Sequence, residues 1–182
     1  MEASNKADSL AFREEWAQFF GDTPPFGWKL RALHIPWLRY HALPGSKRYA
    51  EDDAECSMIL SRANIIGERL LNARSPCWYV EARFDDEGSD PNPMVEFREM
   101  DDGEELVWRF HVRPVEWCAG AFDAKLRAIA DDELEALWMR RSDGTVFAPY
   151  DGGFDLFPRS FDDVETLKEE RADWLSSHSS GL

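Results

Sequence analysis

Cysteine is scarce: 182 residues contain three, Cys56, Cys77 and Cys118, with no Cys-x-x-Cys pair and no histidine at ligand spacing. An odd, widely separated set supports neither a disulfide framework nor a structural zinc site, so no metal is expected. Positive charge is short as well, with 21 Lys and Arg against 36 Asp and Glu and a formal net charge of −15. Binding to nucleic acid or to an anionic membrane needs clustered cations that displace counterions, and this chain is repelled by both. Long apolar runs are missing: no stretch approaches the ~18 residues of a membrane span, and Met1 to Lys6 has neither the basic flank nor the apolar stretch of a secretory signal. The expectation is a cytoplasmic protein. Phosphate-loop and nucleophile-elbow motifs are absent, as are internal repeats and low-complexity tracts. No catalytic residue and no cofactor are expected from motifs.

Apolar and aromatic material, by contrast, is plentiful. With 43% apolar residues, eight Trp and twelve Phe, the chain carries enough to build a core. Its length fits a single domain over 1–182, with flexible ends expected at 1–7 and 177–182. Phe12, Trp16, Phe19 and Phe20 recur at helical spacing and predict a helix over 8–20, stopped by Gly21 and Pro24-Pro25. A short helix is expected from Phe26 to Leu33 and a strand from Trp37 to Ala42. The longest helix, about Asp52 to Asn72, has its apolar stripe on Cys56, Ile59, Leu60, Ala63, Ile66, Gly67 and Leu70 and acids at its start, where the dipole favours them.

Strands follow. Cys77 to Phe84 is rich in aromatic and branched residues, and Met94 to Glu99 pairs with Leu106 to Val112 across an Asp-Gly step. Leu106, Trp108, Phe110 and Val112 share the core face of the second of these strands, and Pro114 is expected to close it. After a helix from Ala119 to Ala130, a hairpin joins Leu134–Arg140 to Thr145–Tyr150 through Ser142-Asp143-Gly144. A tight turn then leads into Phe154–Phe157. Ser160 caps a terminal helix over 161–176. The fold class is α+β, an antiparallel sheet of five or six strands flanked by N-terminal, central and C-terminal helices.

Two loops carry most of the candidate chemistry. Leu43 to Ala50 places Ser46, Lys47, Arg48 and Tyr49 before a helix start, a set suited to an anion or carboxylate. The alternative is structural: Lys47 and Arg48 pair with the acids of Glu51 to Asp53, and Tyr49 staples the helix to the core. In the second loop, Tyr150-Asp151-Gly152-Gly153, the glycines permit positive φ and a sharp reversal, or close approach of a ligand. Arg39 and His41 share one face of their strand by its period of two and would form a floor if the loops meet. Cys118 has no base beside it, and Cys56 and Cys77 read as small hydrophobes.

Acid is concentrated between residues 85 and 105, where Asp85, Asp86, Glu87, Asp101, Asp102, Glu104 and Glu105 stand out against a single cation, Arg98. The run is either a solvated hairpin rim or a surface for a basic protein partner.

With Leu43-Pro44-x-Ser46-Lys47-Arg48-Tyr49 near the start and Tyr150-Asp151-Gly152-Gly153-x-Asp155-Leu156-Phe157 ahead of a helix ending in Asp173-Trp174-Leu175-Ser176, the chain resembles an uncharacterised bacterial domain family of unknown function. The resemblance covers nearly the whole chain, includes the Cys77-Trp78 strand, and implies a compact domain without assigning an activity. Two functional expectations result. The first is an acidic binding protein, of the immunity or antitoxin type, that inhibits a basic protein. The second is a small-ligand-binding protein or enzyme that handles an anionic substrate with Ser46–Tyr49 and Asp151–Gly153.

Overall fold

The computed structural model describes residues 2–84 and 94–176, with the side chains of 2–5 left aside. Five α-helices and seven strands run in the order α1 (Glu2–Phe20), α2 (Gly27–Leu30), β1 (Leu38–His41), α3 (Asp53–Leu71), β2 (Pro76–Arg83), β3 (Met94–Asp101), β4 (Glu104–Glu116), α4 (Asp123–Ala130), β5 (Ala136–Arg140), β6 (Val146–Tyr150), β7 (Gly153–Phe157) and α5 (Phe161–Glu170). Short 3₁₀ turns cover Pro44–Ser46 and Ala172–Trp174.

All strands join one antiparallel sheet in the order β1-β7-β6-β5-β2-β4-β3. The α+β class therefore holds, with seven strands where five or six were expected. The short end segments account for the difference: four-residue β1 pairs with β7 along its whole length, from Leu38↔Leu156 to His41↔Gly153. The Asp-Gly hairpin forms as read, with Asp102 and Gly103 both at positive φ, as a tight hairpin turn requires. Pro114 does not end β4. The strand continues to Glu116, pairing Pro114 with Trp78 and Pro76 with Glu116. The fourth helix starts later than expected, at Asp123, because Ala119 to Phe122 is turn, and the last helix stops at Glu170.

Period-two alternation along the strands sends side chains into two cores. On one face, Phe12, Trp16 and Phe20 of α1, with Phe26 and Leu30, pack over Trp78, Val80, Phe97, Phe110, Val112, Met139 and Phe157. On the other, Ile59, Ala63, Ile66 and Leu70 of α3, with Leu126 and Ile129 of α4 and Val164 and Leu167 of α5, pack over Tyr79, Trp138, Phe147, Phe154 and Leu156. Side-chain caps fix two helix starts: Asp52 accepts from the Glu55 N–H, and Ser160 accepts from the Asp163 N–H. Helix α1 also ties down the edge strand β3, since Arg13 donates to the Glu96 carbonyl at 2.6 Å.

One local feature of the sheet positions the site. The β5–β6 ladder pairs Met139↔Val146 and Trp138↔Phe147 and goes no further. The next hydrogen-bonded rung would set Ala136 opposite Pro149, and proline has no N–H to give. Beyond that point the two strands become opposite walls of a cavity.

Candidate ligand site in the open end of the sheet

A cavity of about 520 Å³ lies between α2, the C-terminal end of β2, the α4–β5 connection and the ends of β5 and β6. Its size falls within the roughly 300–1,000 Å³ usual for small-molecule sites. One wall is built around Asp155, which is 3% exposed on β7. Its neighbours Phe154 and Leu156 point into the opposite core, so alternation turns the Asp155 carboxylate toward α2. Arg39, directly across the β1–β7 ladder, grips that carboxylate with two hydrogen bonds of 2.8 and 3.1 Å. The Trp37 indole N–H adds a third at 3.2 Å.

Arg31, at the C-terminal end of α2, brings a second guanidinium to the same acid. Its Nε lies 3.3 Å from Asp155 Oδ2, yet this buried N–H is misaligned and makes no hydrogen bond. Two cations thus share one anion, leaving an excess of about one positive charge on this wall. Tyr150 completes it: the Arg39 guanidinium stacks 4.4 Å above the Tyr150 ring, and burial pushes that phenol up to about 12.

The opposite wall is acidic and aromatic. Glu135 lies just before β5, and burial away from water pushes its carboxyl up to about 7, against the lowering effect of the nearby Trp28 indole N–H. Asp132, which also lines the cavity, raises it further. Phe26 is stacked between Trp28 and Phe84, and the Phe84 ring is 66% exposed at the mouth.

The two loops singled out from the sequence do meet, at Asp151. Arg48 donates to its Oδ2 at 2.5 Å and the Tyr49 hydroxyl donates to the same oxygen at 2.8 Å. Asp151 is buried, lines the cavity, and so anchors loop 44–50 to its rim. Lys47 turns away and binds Glu55 at 2.6 and 2.7 Å and Glu51 at 3.1 Å, as the structural alternative expects. Arg48 and Tyr49 depart from that alternative by reaching across to Asp151. Ser46 is exposed on its 3₁₀ turn, outside the cavity.

Neither Gly152 nor Gly153 sits at positive φ, so a sharp reversal is not what they provide. Close approach is: a Cβ on Gly153 would stand 2.1 Å from the Tyr40 carbonyl oxygen. His41 pairs with Gly153 in the sheet, and burial, aided by the Arg39 charge, lowers its imidazole below the ordinary range. It is neutral near pH 7 and does not line the cavity.

Arg31, Trp28, Glu135 and Asp155 were not marked as candidates from the sequence. Asp155 carried a signal, a lone acid within the apolar strand Phe154-Asp155-Leu156-Phe157. Of the acidic stretch, Asp85, Asp86 and Glu87 lie outside the described residues, while Asp101, Asp102, Glu104 and Glu105 are exposed at the β3–β4 tip, where Arg98 pairs with Glu105 at 3.0 Å. Among the described residues no set of three ligand side chains is placed to hold a metal, and no helix is long and apolar enough to cross a membrane.

The fold is a single-sheet α+β arrangement with a cavity lined by charged residues at the open end of one ladder. The chain belongs to the family described as Domain of unknown function (DUF3885), whose model matches residues 26–179 and so spans every element that lines the cavity. No curated protein and no solved structure matches the chain.

Proposed function

We propose that this protein binds a small ligand bearing an anionic group, such as a carboxylate or phosphate, which docks against Arg31 and Arg39. The observation that carries the reading is the pair of guanidiniums sharing the single buried carboxylate of Asp155 inside a cavity of ligand size. Arg31 has donors to spare, and a charge-assisted hydrogen bond in such a recess is stronger than one in open water. The positive wall is local: Arg31 and Arg39 offer donors on one side of a recess whose lining also carries Asp132, Glu133, Glu135 and Asp151. Loop 44–50, tethered to Asp151, frames the entrance instead of holding the ligand.

Thermal denaturation in the presence of simple carboxylates, phosphate esters and sulfonates tests the reading. A ligand at about a hundredfold excess over its Kd adds about 2.7 kcal/mol, which raises the Tm of a chain this size by roughly 5–10 °C. Arg31→Gln should abolish the shift without unfolding the protein, since Arg31 is the less buried of the two arginines. A flat response to all three classes, or an unchanged response in Arg31→Gln, contradicts it.

A second reading is supported by the β3–β4 tip. Asp101, Asp102, Glu104 and Glu105 project into solvent on a chain of net charge −15, a surface that would steer a basic protein partner toward it. An immunity-type inhibitor would use such a tip. Charge reversal of these four residues should then abolish capture of a stoichiometric basic partner, and capture that survives the reversal excludes the tip as the contact.

A further inference from the structure

The wall facing the arginines has chemistry of its own. Glu135 lines the cavity with no ion-pair partner among the described residues, and the neutral Trp28 indole N–H is the neighbour that favours its ionised form. Arg83, which also lines the cavity from the end of β2, is directed to Glu81 at 3.7 Å. Continuing the Trp138↔Phe147 register places Glu135 across from Tyr150, the residue on which Arg39 stacks. A carboxyl therefore stands on one wall of the cavity and a guanidinium pair on the other. Above them, the exposed face of Phe84 offers its negative π surface to a cation entering the mouth.

We propose that Glu135 receives an ammonium or guanidinium group, so that the ligand of this cavity is a zwitterion held between Glu135 and the Arg31–Arg39 pair. This deepens the anionic-ligand reading, on which it rests for the second end of the molecule. A half-buried carboxyl without a cation partner is costly to ionise, and a ligand cation supplies the missing charge. Its raised pKa fits that description, because an incoming cation would favour the ionised form. An anion-only ligand would leave Glu135 unpartnered, and a cation-only ligand would leave the surplus charge at Arg31.

Calorimetry with three matched series decides it. The zwitterions β-alanine, γ-aminobutyrate, δ-aminovalerate and ε-aminocaproate are compared with the straight-chain carboxylates and straight-chain alkylamines of the same lengths, because the chain length sets the span between the two walls. At the best length the zwitterion should bind about tenfold or more tightly than either single-charge analogue. In Glu135→Gln, which keeps an oxygen to accept from Trp28, that advantage over the carboxylate should vanish while carboxylate affinity stays the same. If carboxylates bind and zwitterions bind no better, Glu135 is not a cation receptor and the anion site stands. If amines bind and carboxylates do not, the anion site fails and the Glu135 receptor stands. Absence of binding in all three series, or a Glu135→Gln protein that retains the zwitterion preference, overturns the proposal.

Discussion

Replacing Glu135 by Gln removes a charge while preserving shape, and the structure fixes the sign of the outcome. Burial raises this carboxyl from 4.5 to about 7. Between those values the folded protein keeps a proton that the unfolded chain has released, so stability falls as pH rises through the window and the full penalty is present above about pH 7. At about 1.4 kcal/mol per pH unit the span corresponds to about 3 kcal/mol, which the partial exposure of Glu135 reduces to about 1–2 kcal/mol. Gln carries no such proton. Glu135→Gln should match the wild type near pH 5 and exceed it by about 1–2 kcal/mol near pH 8, a rise in Tm of roughly 2–8 °C. Urea unfolding of both proteins across that range measures the difference directly, and the other titrating groups cancel between them. Parallel stability curves, or a variant less stable at the alkaline end, would refute the assignment of Glu135 as a buried carboxyl without a cation.

Other sites give separate tests. Arg39→Ala leaves the buried Asp155 with only the misaligned Arg31 and the Trp37 indole N–H and should cost about 3–5 kcal/mol in urea unfolding, whereas a loss below about 1 kcal/mol would mean that the pair is solvated. Gly67→Ala would place a methyl 2.0 Å from Cζ2 of the buried Trp117 ring and should destabilise by about 2–3 kcal/mol despite the gain in helix propensity; an unchanged Tm would contradict the close contact of α3 with Trp117. Asp151→Asn weakens the hold of Arg48 and Tyr49, and amide exchange across residues 44–50 should quicken while the core is unaffected. Thiol reagents should modify exposed Cys118 in the native protein and spare Cys77, which is buried and pushed up to about 11 by that burial.

Much of the fold was legible because the relevant signals are local. The i, i+4, i+8 aromatic spacing of Phe12, Trp16 and Phe20, the Asp52 and Ser160 caps and the Asp102-Gly103 turn each act within a few residues. Their physics is complete in the sequence. Pro114 shows the limit of that reasoning: whether a proline ends a strand depends on whether its missing N–H faces a partner, which only the assembled sheet decides.

The site was half legible for the same reason. Arg48, Tyr49 and Asp151 stood out as unusual loops, but their meeting depends on the β1–β7–β6 ladder that brings residues about a hundred positions apart into contact. Lys47 has the same local chemistry as Arg48 and found its partners nearby in the chain, at Glu51 just before the next helix and Glu55 in its first turn. Arg31 and Glu135 lie at a helix end and a strand start, positions where charged residues are ordinary. What sets them apart is the cavity between β5 and β6, opened by Pro149. A proline next to a lone acid-bearing strand was the available clue.

The central claim is that the recess around Arg31, Arg39 and Asp155 holds an anionic group. A crystal structure of the protein grown with the tightest-binding carboxylate or zwitterion tests it most directly. The carboxylate should lie within about 3 Å of the Arg31 guanidinium, with the Arg39–Asp155 pair intact beside it. A ligand bound with its carboxylate turned out to solvent, or seated anywhere outside this cavity, would contradict it.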